Sequence, residues 1–592
     1  MQDGSHPRPQ LLRGDWTSLD GEWRFAYDDA DEGLRRRWHA DDAAFDRSIR
    51  VPFPPESPAS GIGDTGHHPV VWYRRSFDVA AAPAGRRCLI HFGAVDHEAA
   101  VWVDGQLAGR HTGGYSPFTL DVTELLDGPG PHELVVRAAD DPRDAEAPRG
   151  KQDWLPEPHA IWYHRSTGIW QTVWLETVAP QHIAALHWTS DIEAATVRGE
   201  LRLARRPSAP LTLQAEWSLG EELLAASTLR LDSDHAAFGV ELPALRDQHG
   251  RDRLLWSPGN PVLIDVTLRL MRGDDVIDEA ASYLGIRSTA VDDASFLLNG
   301  YPVYLRAVLE QGYWPESHFT APSDDARRAE VQLIKDLGFN AARIHQKAED
   351  PRFLFWADRL GLMIWAETAA AAEFTPRAVR LLTAEWSALV ERDRSHPCIV
   401  AWVPMNESWG VGDVAASRPQ QHFVQAMASL TRALDPTRPV VSNDGWEHVD
   451  SDILTLHDYS SDPEELLARY GTAEALAAAL AGRGPHGRRI LVGERAEATA
   501  AARPVMISEF GGIAHRSAAG AWGYTVVDSD DEYRQRLEGL FAAIRRCAGI
   551  RGFCYTQLSD TLQESNGLLT GSREPKLPVP VLRAIVTGGP SR

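Results

Sequence analysis

Several polar side chains in this sequence stand where an apolar run breaks off. Asn406 and Glu407 follow CIVAWVPM, Glu509 follows VMIS, and Glu367 follows LMIWA. His457 and Tyr459 end ILTLHDYS in the same way. An acidic side chain directly after a buried run is costly unless it is paired or faces a cleft. Glu407 and Glu509 together make a carboxylate pair, and such a pair suits glycosidic chemistry. One carboxyl holds a proton for the leaving oxygen, while the other attacks the anomeric carbon or activates water. In a retaining reaction the two lie about 5–5.5 Å apart, and their like charges help to raise the acid's pKa. Taken alone, either glutamate is more often a rim residue paired to an arginine.

The elements that must position these side chains come last in the chain. From about Phe296, short apolar strands alternate with helical patterns: VQLIKDLG then FNAARIH, FLFWADRLG then LMIWAE, LTAEWSALVERDRSHP then CIVAWVPMNE. Repeated strand–helix units over about 300 residues indicate a (β/α)8 barrel, whose chemistry sits at the C-terminal ends of the strands. Positions 1–180 carry strand-like runs with no helical pattern between them, including an Asp104-Gly105 hairpin turn, and indicate a β-sandwich. Positions 181–288 give a second set of alternating strands, of a length that suits a seven-stranded immunoglobulin-like sandwich. The expected domains are therefore 1–180, 181–288 and 289–592.

The chain has 592 residues, too many for one hydrophobic core. It carries 60 basic against 83 acidic side chains, a formal net charge of −23. Such a surface repels nucleic acid and anionic membranes. No apolar run is long enough to cross a bilayer, and no signal-peptide pattern opens the sequence. Four scattered cysteines make neither a disulfide framework nor a zinc site. The expectation is a reduced, cytoplasmic protein with no cofactor and no metal.

SLDGEWRFAYDD, WYRRSFDV, STGIWQTVWLE, FLLNGYPVYLRAV, FNAARIHQKAEDPRFLFWADRLGLMIWAE, PMNESWG and ISEFGG occur in that order. In order and spacing the sequence resembles glycoside hydrolase family 2, the family of β-galactosidases, β-glucuronidases and β-mannosidases. The resemblance spans nearly the whole chain. It implies a jelly-roll sugar-binding-type domain, an immunoglobulin-like sandwich and a catalytic TIM barrel. It also implies roles: Glu407 as general acid/base, Glu509 as nucleophile, Asn406 as partner of the sugar 2-hydroxyl, and Tyr459 tuning Glu509. His457, Glu367, His345, Gln346, Trp409, Trp522, Gln557, Glu564 and Asn566 become candidate substrate-binding residues.

Some positions depart from the familiar members. Gln346 stands where many relatives have a histidine, Val308-Leu309-Glu310-Gln311 replaces an Asn-Arg-His-Glu ending, and Thr556 lies nearest a slot usually held by Trp. The Asn-x-Lys clamp of β-glucuronidases is missing its lysine, and Glu564 occupies the asparagine slot. A uronic carboxylate facing Glu564 alone loses binding energy, which favours a neutral sugar unless Arg343, Lys347 or a neighbouring domain supplies a cation. The polar stretch 147–165 is long for a hairpin and is a candidate to reach over the barrel mouth with Lys151 or Trp154. The expected function is exo-acting, retaining hydrolysis of a terminal β-linked sugar, β-galactoside first. A β-glucuronidase, another β-uronidase or a pentosidase of the same family is the alternative. An inactive carbohydrate-binding protein on the same scaffold is the alternative of a different class. The partner is a carbohydrate, and relatives of this kind are often homo-oligomers.

Overall fold

The computed structural model describes residues 3–79, 85–292, 295–493, 502–515 and 522–589. The amino-terminal part is a sandwich of two antiparallel sheets. One has four strands, Trp16–Ser18, Val173–Val178, Arg87–Phe92 and Phe118–Asp121. The other has six, ordered Arg47–Val51, Gly21–Tyr27, Val70–Val79, Gly130–Ala139, Glu98–Val103 and Gln106–Thr112. The two-residue period decides the packing. Leu134, Val136 and Ala138 face the core with Phe25, Val71 and Ile90, while Val135 turns the other way to join Trp72 and Trp102. The six-stranded sheet is therefore covered on both sides. The hairpin residues Asp104 (φ 50) and Gly105 (φ 75) are both left-handed. A tight hairpin between right-twisted strands requires such a pair.

The second sandwich sets three strands (Ile183–Asp191, Thr196–Leu203, His235–Glu241) against four (Glu222–Leu231, Leu211–Leu219, Ile264–Arg272, Asp275–Leu284). These are the seven strands expected of an immunoglobulin-like domain. Trp217 is fully buried at its centre, with Trp188 and Phe238 around it.

The carboxyl-terminal part is a parallel barrel. Seven regular strands lie side by side in the order Ile399–Val403, Met363–Glu367, Ala341–Ile344, Leu305–Glu310, Ile550–Thr556, Val505–Gly511 and Leu454–Asp458. The eighth place is filled by an irregular stretch. Val440 bridges Trp402, Asp444 bridges Asn406, and the Asp452 N–H donates to the Val440 carbonyl at 2.8 Å. The seven strands are parallel, so their C-terminal ends, which carry the polar side chains, share one mouth.

The barrel and the second sandwich are joined through Asp358, which is fully buried. Its carboxylate accepts from the Tyr283 hydroxyl at 2.8 Å, His396 Nδ1 at 2.6 Å and the Cys398 N–H at 2.8 Å. Its carbonyl accepts from the Trp256 indole at 2.8 Å. Removing the carboxylate leaves the Cys398 N–H without an acceptor and the Tyr283 hydroxyl and His396 with only their mutual 3.4 Å contact, at a cost of about 1–3 kcal/mol for each unpaired group. In a urea titration, Asp358→Ala is therefore expected to lower unfolding stability by about 2 kcal/mol or more. A loss under about 0.5 kcal/mol, the range of an ordinary surface change, would show that this junction is not a structural tie.

Candidate active site

The barrel mouth is organised around Arg343, on the strand Ala341–Ile344 and 1% exposed. A guanidinium buried this deeply needs partners for its five N–H groups. Its Nη1 lies 2.6 Å from Glu509 and 3.0 Å from Asp444. Nε and Nη2 reach the same Glu367 oxygen at 3.0 and 2.7 Å, and Nη2 also donates to Asn406 Oδ1 at 2.7 Å. One side chain thus links the ends of Ala341–Ile344, Met363–Glu367, Ile399–Val403 and Val505–Gly511 with the irregular stretch that carries Asp444.

His457, at the end of Leu454–Asp458, joins the two glutamates. Its Nδ1 is 2.6 Å from Glu407 Oε1, its Nε2 is 2.8 Å from Asp444 Oδ2, and Glu509 is 3.5 Å away. Both ring nitrogens face carboxylate oxygens, so the ring is best satisfied with a proton on each. Burial alone would lower its pKa, but the Glu509 charge and the bonds to Asp444 and Glu407 prevail and push it up to about 10. One donor atom each from Glu407, His457 and Glu509 lie within 4.8 Å of one another. Oxygens this near each other fit the retaining arrangement, with carboxyl groups about 5–5.5 Å apart, better than the inverting one, with about 6.5–9.5 Å.

Local geometry aims each carboxylate. Glu407 (φ 50) and Ser408 (φ 56) make a left-handed turn. Such a conformation costs a non-glycine residue on the order of 1 kcal/mol. The turn is held by Glu407 N–H to the Asp444 carbonyl at 3.0 Å and Ser408 N–H to Asn443 Oδ1 at 2.9 Å. On Glu509, one oxygen takes Arg343 and the other accepts from the Tyr459 hydroxyl. Burial, and then the Glu509 charge, raise the Tyr459 pKa, so the phenol stays a neutral donor.

The electrostatics divide the acids. Burial pushes Glu407 up, but the hydrogen bond and charge of His457 outweigh it, and its pKa is lowered. Burial is likewise overcome at Glu509 by His457 and Arg343, and its pKa is also lowered. Glu367 goes the other way: burial dominates over Arg343 and lifts it to about 7. His345, 3.3 Å from Glu367 and 3.9 Å from Glu509, is driven well below its ordinary value by burial, with Arg343 and Lys151 adding to it.

The remaining candidates form a second group. Gln557 donates to Asn566 at 2.7 Å, Asn566 to Glu564 at 3.2 Å, and Gln311 bonds Gln557. Lys151 completes it, with Nζ 3.3 Å from Glu564. The stretch 147–165 therefore does reach the barrel, and Glu564 does not stand without an ammonium. Lys347 does not serve here, because its Nζ is spent on the Gly312 and Phe319 carbonyls and Glu349. Gln346 receives the Ala370 N–H on its side chain and gives its own N–H to Glu367. Trp409 packs against Trp162. Trp522 stands one layer back, its ring against Tyr524, which stacks on Tyr459 with centroids 3.4 Å apart.

Asp444 and Tyr524 belong to this site although no strand-length apolar run points to them, and Gln311, which directly follows the first barrel strand, joins it as well. For Asp444 the only signal is the short run Val440-Val441 before Ser-Asn-Asp-Gly. Among the described residues, two clusters have metal-type donors, Glu407–His457–Glu509 and Asp358–His396–Cys398. In both, the donor groups are already bonded to one another or to protein partners.

Three family descriptions match the chain. Residues 289–537 match the TIM barrel domain of glycosyl hydrolases family 2, 62–139 its sugar binding domain, and 181–287 a third family 2 domain. The β-galactosidase of Thermoanaerobacter pseudethanolicus is 27% identical over 377 residues, which cover 62% of this chain and 48% of that protein. A β-glucuronidase of Paenibacillus borealis is 25% identical over 463 residues, covering 73% of this chain and 74% of that one. The chain spans about half the length of the first curated relatives it matches. Among solved structures, a β-glucuronidase from Ruminococcus gnavus superposes with a TM-score of 0.78 at 18% identity, covering 98% of this chain and 99% of that one. A β-galacturonidase from Eisenbergiella tayi, bound to galacturonate, gives 0.75 at 20% identity, covering 98% of each chain. At these identities the superpositions speak to the fold. No helix among the described residues is long and apolar enough to cross a membrane. With all three domains matched in order, the chain belongs to glycoside hydrolase family 2.

Proposed function

We propose that this glycoside hydrolase is a retaining exo-β-glycosidase with Glu509 as nucleophile and Glu407 as acid/base. The observation that carries the reading is that one oxygen of Glu407 and one of Glu509 come within 4.8 Å of each other across one barrel mouth. Glu509 attacks the anomeric carbon while Glu407 protonates the departing oxygen, and Glu407 then takes a proton from the water that releases the sugar. Asn406, oriented by Arg343, is positioned to meet the 2-hydroxyl. Glu509 is held ionised by His457 and Arg343, and the Glu407–His457 pair, 2.6 Å apart, shares the proton that Glu407 delivers. His457 is thus the positioning residue that keeps a proton within reach of the acid.

For the sugar, we favour a neutral β-galactoside. Four carboxylates, Glu367, Asp444, Glu407 and Glu509, face only two cations, Arg343 and His457. Lys151 is neutralised by Glu564. A uronic carboxylate gains little there, while the cationic character of an oxocarbenium-like transition state is stabilised. The uronide alternative draws support from Lys151 itself, an ammonium close enough to depress His345, and from relatives and neighbours named for uronides.

Glu509→Ala and Glu407→Ala should each lose at least about 10³-fold in kcat on p-nitrophenyl β-galactoside, and azide should rescue Glu509→Ala with an inverted glycosyl azide. Near wild-type turnover in either variant sinks the scheme.

The kcat/KM profile should keep its acid limb below about 4.5, because Glu509 is held down. Its alkaline limb should lie above neutrality, because the stored proton leaves His457 only near pH 10. In His457→Gln the alkaline limb should move about one pH unit or more towards acid; an unmoved limb would remove His457 from the proton inventory.

Glu564→Gln leaves Lys151 unpaired. Its kcat/KM ratio of β-glucuronide to β-galactoside should rise about tenfold, equivalent to about 1.4 kcal/mol. A wild type that already prefers glucuronide would replace the neutral-sugar assignment.

A further inference from the structure

Next to the turn that carries Glu407, the jelly-roll stretch 147–165 and the barrel line a cleft of about 350 Å³. Its walls are Trp154 and Trp162 from the stretch, Trp409 and Gln346 from the barrel, and the small residues Gly150 and Ala370 to Ala372. The three indoles meet edge to face. Trp154 and Trp162 have centroids 5.2 Å apart at 68°, and Trp162 and Trp409 are 5.2 Å apart at 79°. Each ring is only half-buried, so their faces are available to a ligand. Isolated half-exposed tryptophans are ordinary, but three converging on one cleft from two domains are a built surface.

The walls are fixed. Gly150 donates to the Ala370 carbonyl at 3.1 Å, and a Cβ there would meet the Gln346 carbonyl at 2.3 Å. Gln563 on the far side donates to the Ala160 and Trp162 carbonyls at 2.9 and 2.7 Å. The cleft is therefore formed before any ligand arrives, which limits the ordering cost of binding.

Its position fixes its role. A general acid stands on the side from which the leaving group departs. Trp409 follows Glu407 just beyond the left-handed turn, and Gln346 is bonded to Glu367. The cleft is therefore walled by the residue that follows the acid's own turn, which makes it the candidate space for the group that Glu407 protonates. Its polarity then selects the leaving group. A second sugar presents several hydroxyls that each need a partner once buried. Here Gln346 Oε1 is already taken by Ala370, and the Arg149 guanidinium lies over the Trp154 ring at 4.7 Å. Apart from the Gln346 side-chain NH2 and the Arg149 guanidinium, the surface is indole, methyl and glycine backbone.

We propose that Trp154, Trp162 and Trp409 form the aglycone subsite and that it prefers glycosides of planar aromatic alcohols over disaccharides. This rests on Glu407 being the acid. The aromatic leaving group stacks on an indole face, an arrangement that aromatic pairs favour beyond the area they bury, while the glycon stays at Glu407 and Glu509.

The test uses the full chain with two substrates of one glycon, 2-naphthyl β-galactoside and lactose. Trp154→Ala and Trp162→Ala should each lower the naphthyl-to-lactose ratio of kcat/KM by about tenfold. Equal losses on both substrates, or an unchanged ratio, overturn the proposal. Free 2-naphthol should inhibit the wild type at concentrations where free glucose, the leaving group of lactose, does not. That measurement stands even if a variant fails to fold, and no inhibition also overturns the proposal. A wild type that hydrolyses neither galactoside, nor any other glycoside of the same aglycones, fails at Glu407 and Glu509 rather than at the cleft.

Discussion

A single guanidinium with almost no solvent contact determines how this barrel mouth can be arranged. Arg343 cannot be deprotonated at any ordinary pH and cannot be buried without anions around it. Glu367, Asp444 and Glu509 supply them, and Asn406 takes a further N–H. Each partner comes from a different segment of the barrel. The fork geometry therefore sets the relative positions of five strand ends more tightly than packing of their apolar stems would. In return, Arg343 lets three carboxylates share a dry space in which any two would otherwise repel.

His457 extends the arrangement by one charge. Between them the two cations leave the site short of positive charge when all four acids are ionised. The shortage shows at Glu367, where burial outweighs Arg343 and lifts the pKa to about 7. The balance left over is negative and is aimed at the point where a departing aglycone leaves positive character behind. Proton storage on the ring, depressed acids and the left-handed turn at Glu407 all follow from the same crowding of charge.

Much of this was legible in the sequence because barrel strands announce their ends. Glu367, Asn406, Glu407, His457, Tyr459 and Glu509 each close an apolar run, and the structure gathers all six at one mouth. The seven strands of the middle domain followed from its alternation and length, and the Asp104-Gly105 hairpin from turn chemistry. What stayed hidden depended on contacts without a local pattern. Asp444 sits on an eighth segment too short and irregular to show a strand period. Tyr524 matters only through its stacking on Tyr459. The pairing of Lys151 with Glu564 joins residues 413 positions apart in sequence, and no spacing rule carries across such a distance. The neighbouring domain thus supplies the cation that the sequence left open.

The stretch 147–165 gives this architecture a division of labour. The reacting bond is handled by side chains that the barrel strands hold rigidly, whereas the surroundings of the substrate are partly lent by a neighbouring module. Gly150 presses against the Gln346 carbonyl with no room for a side chain, so the loan is a tight one. A barrel excised at residue 289 would keep its charges but lose one wall and one ammonium. Drift in the amino-terminal domain, away from any group that makes or breaks a bond, can therefore change which molecules are accepted while leaving the chemistry intact.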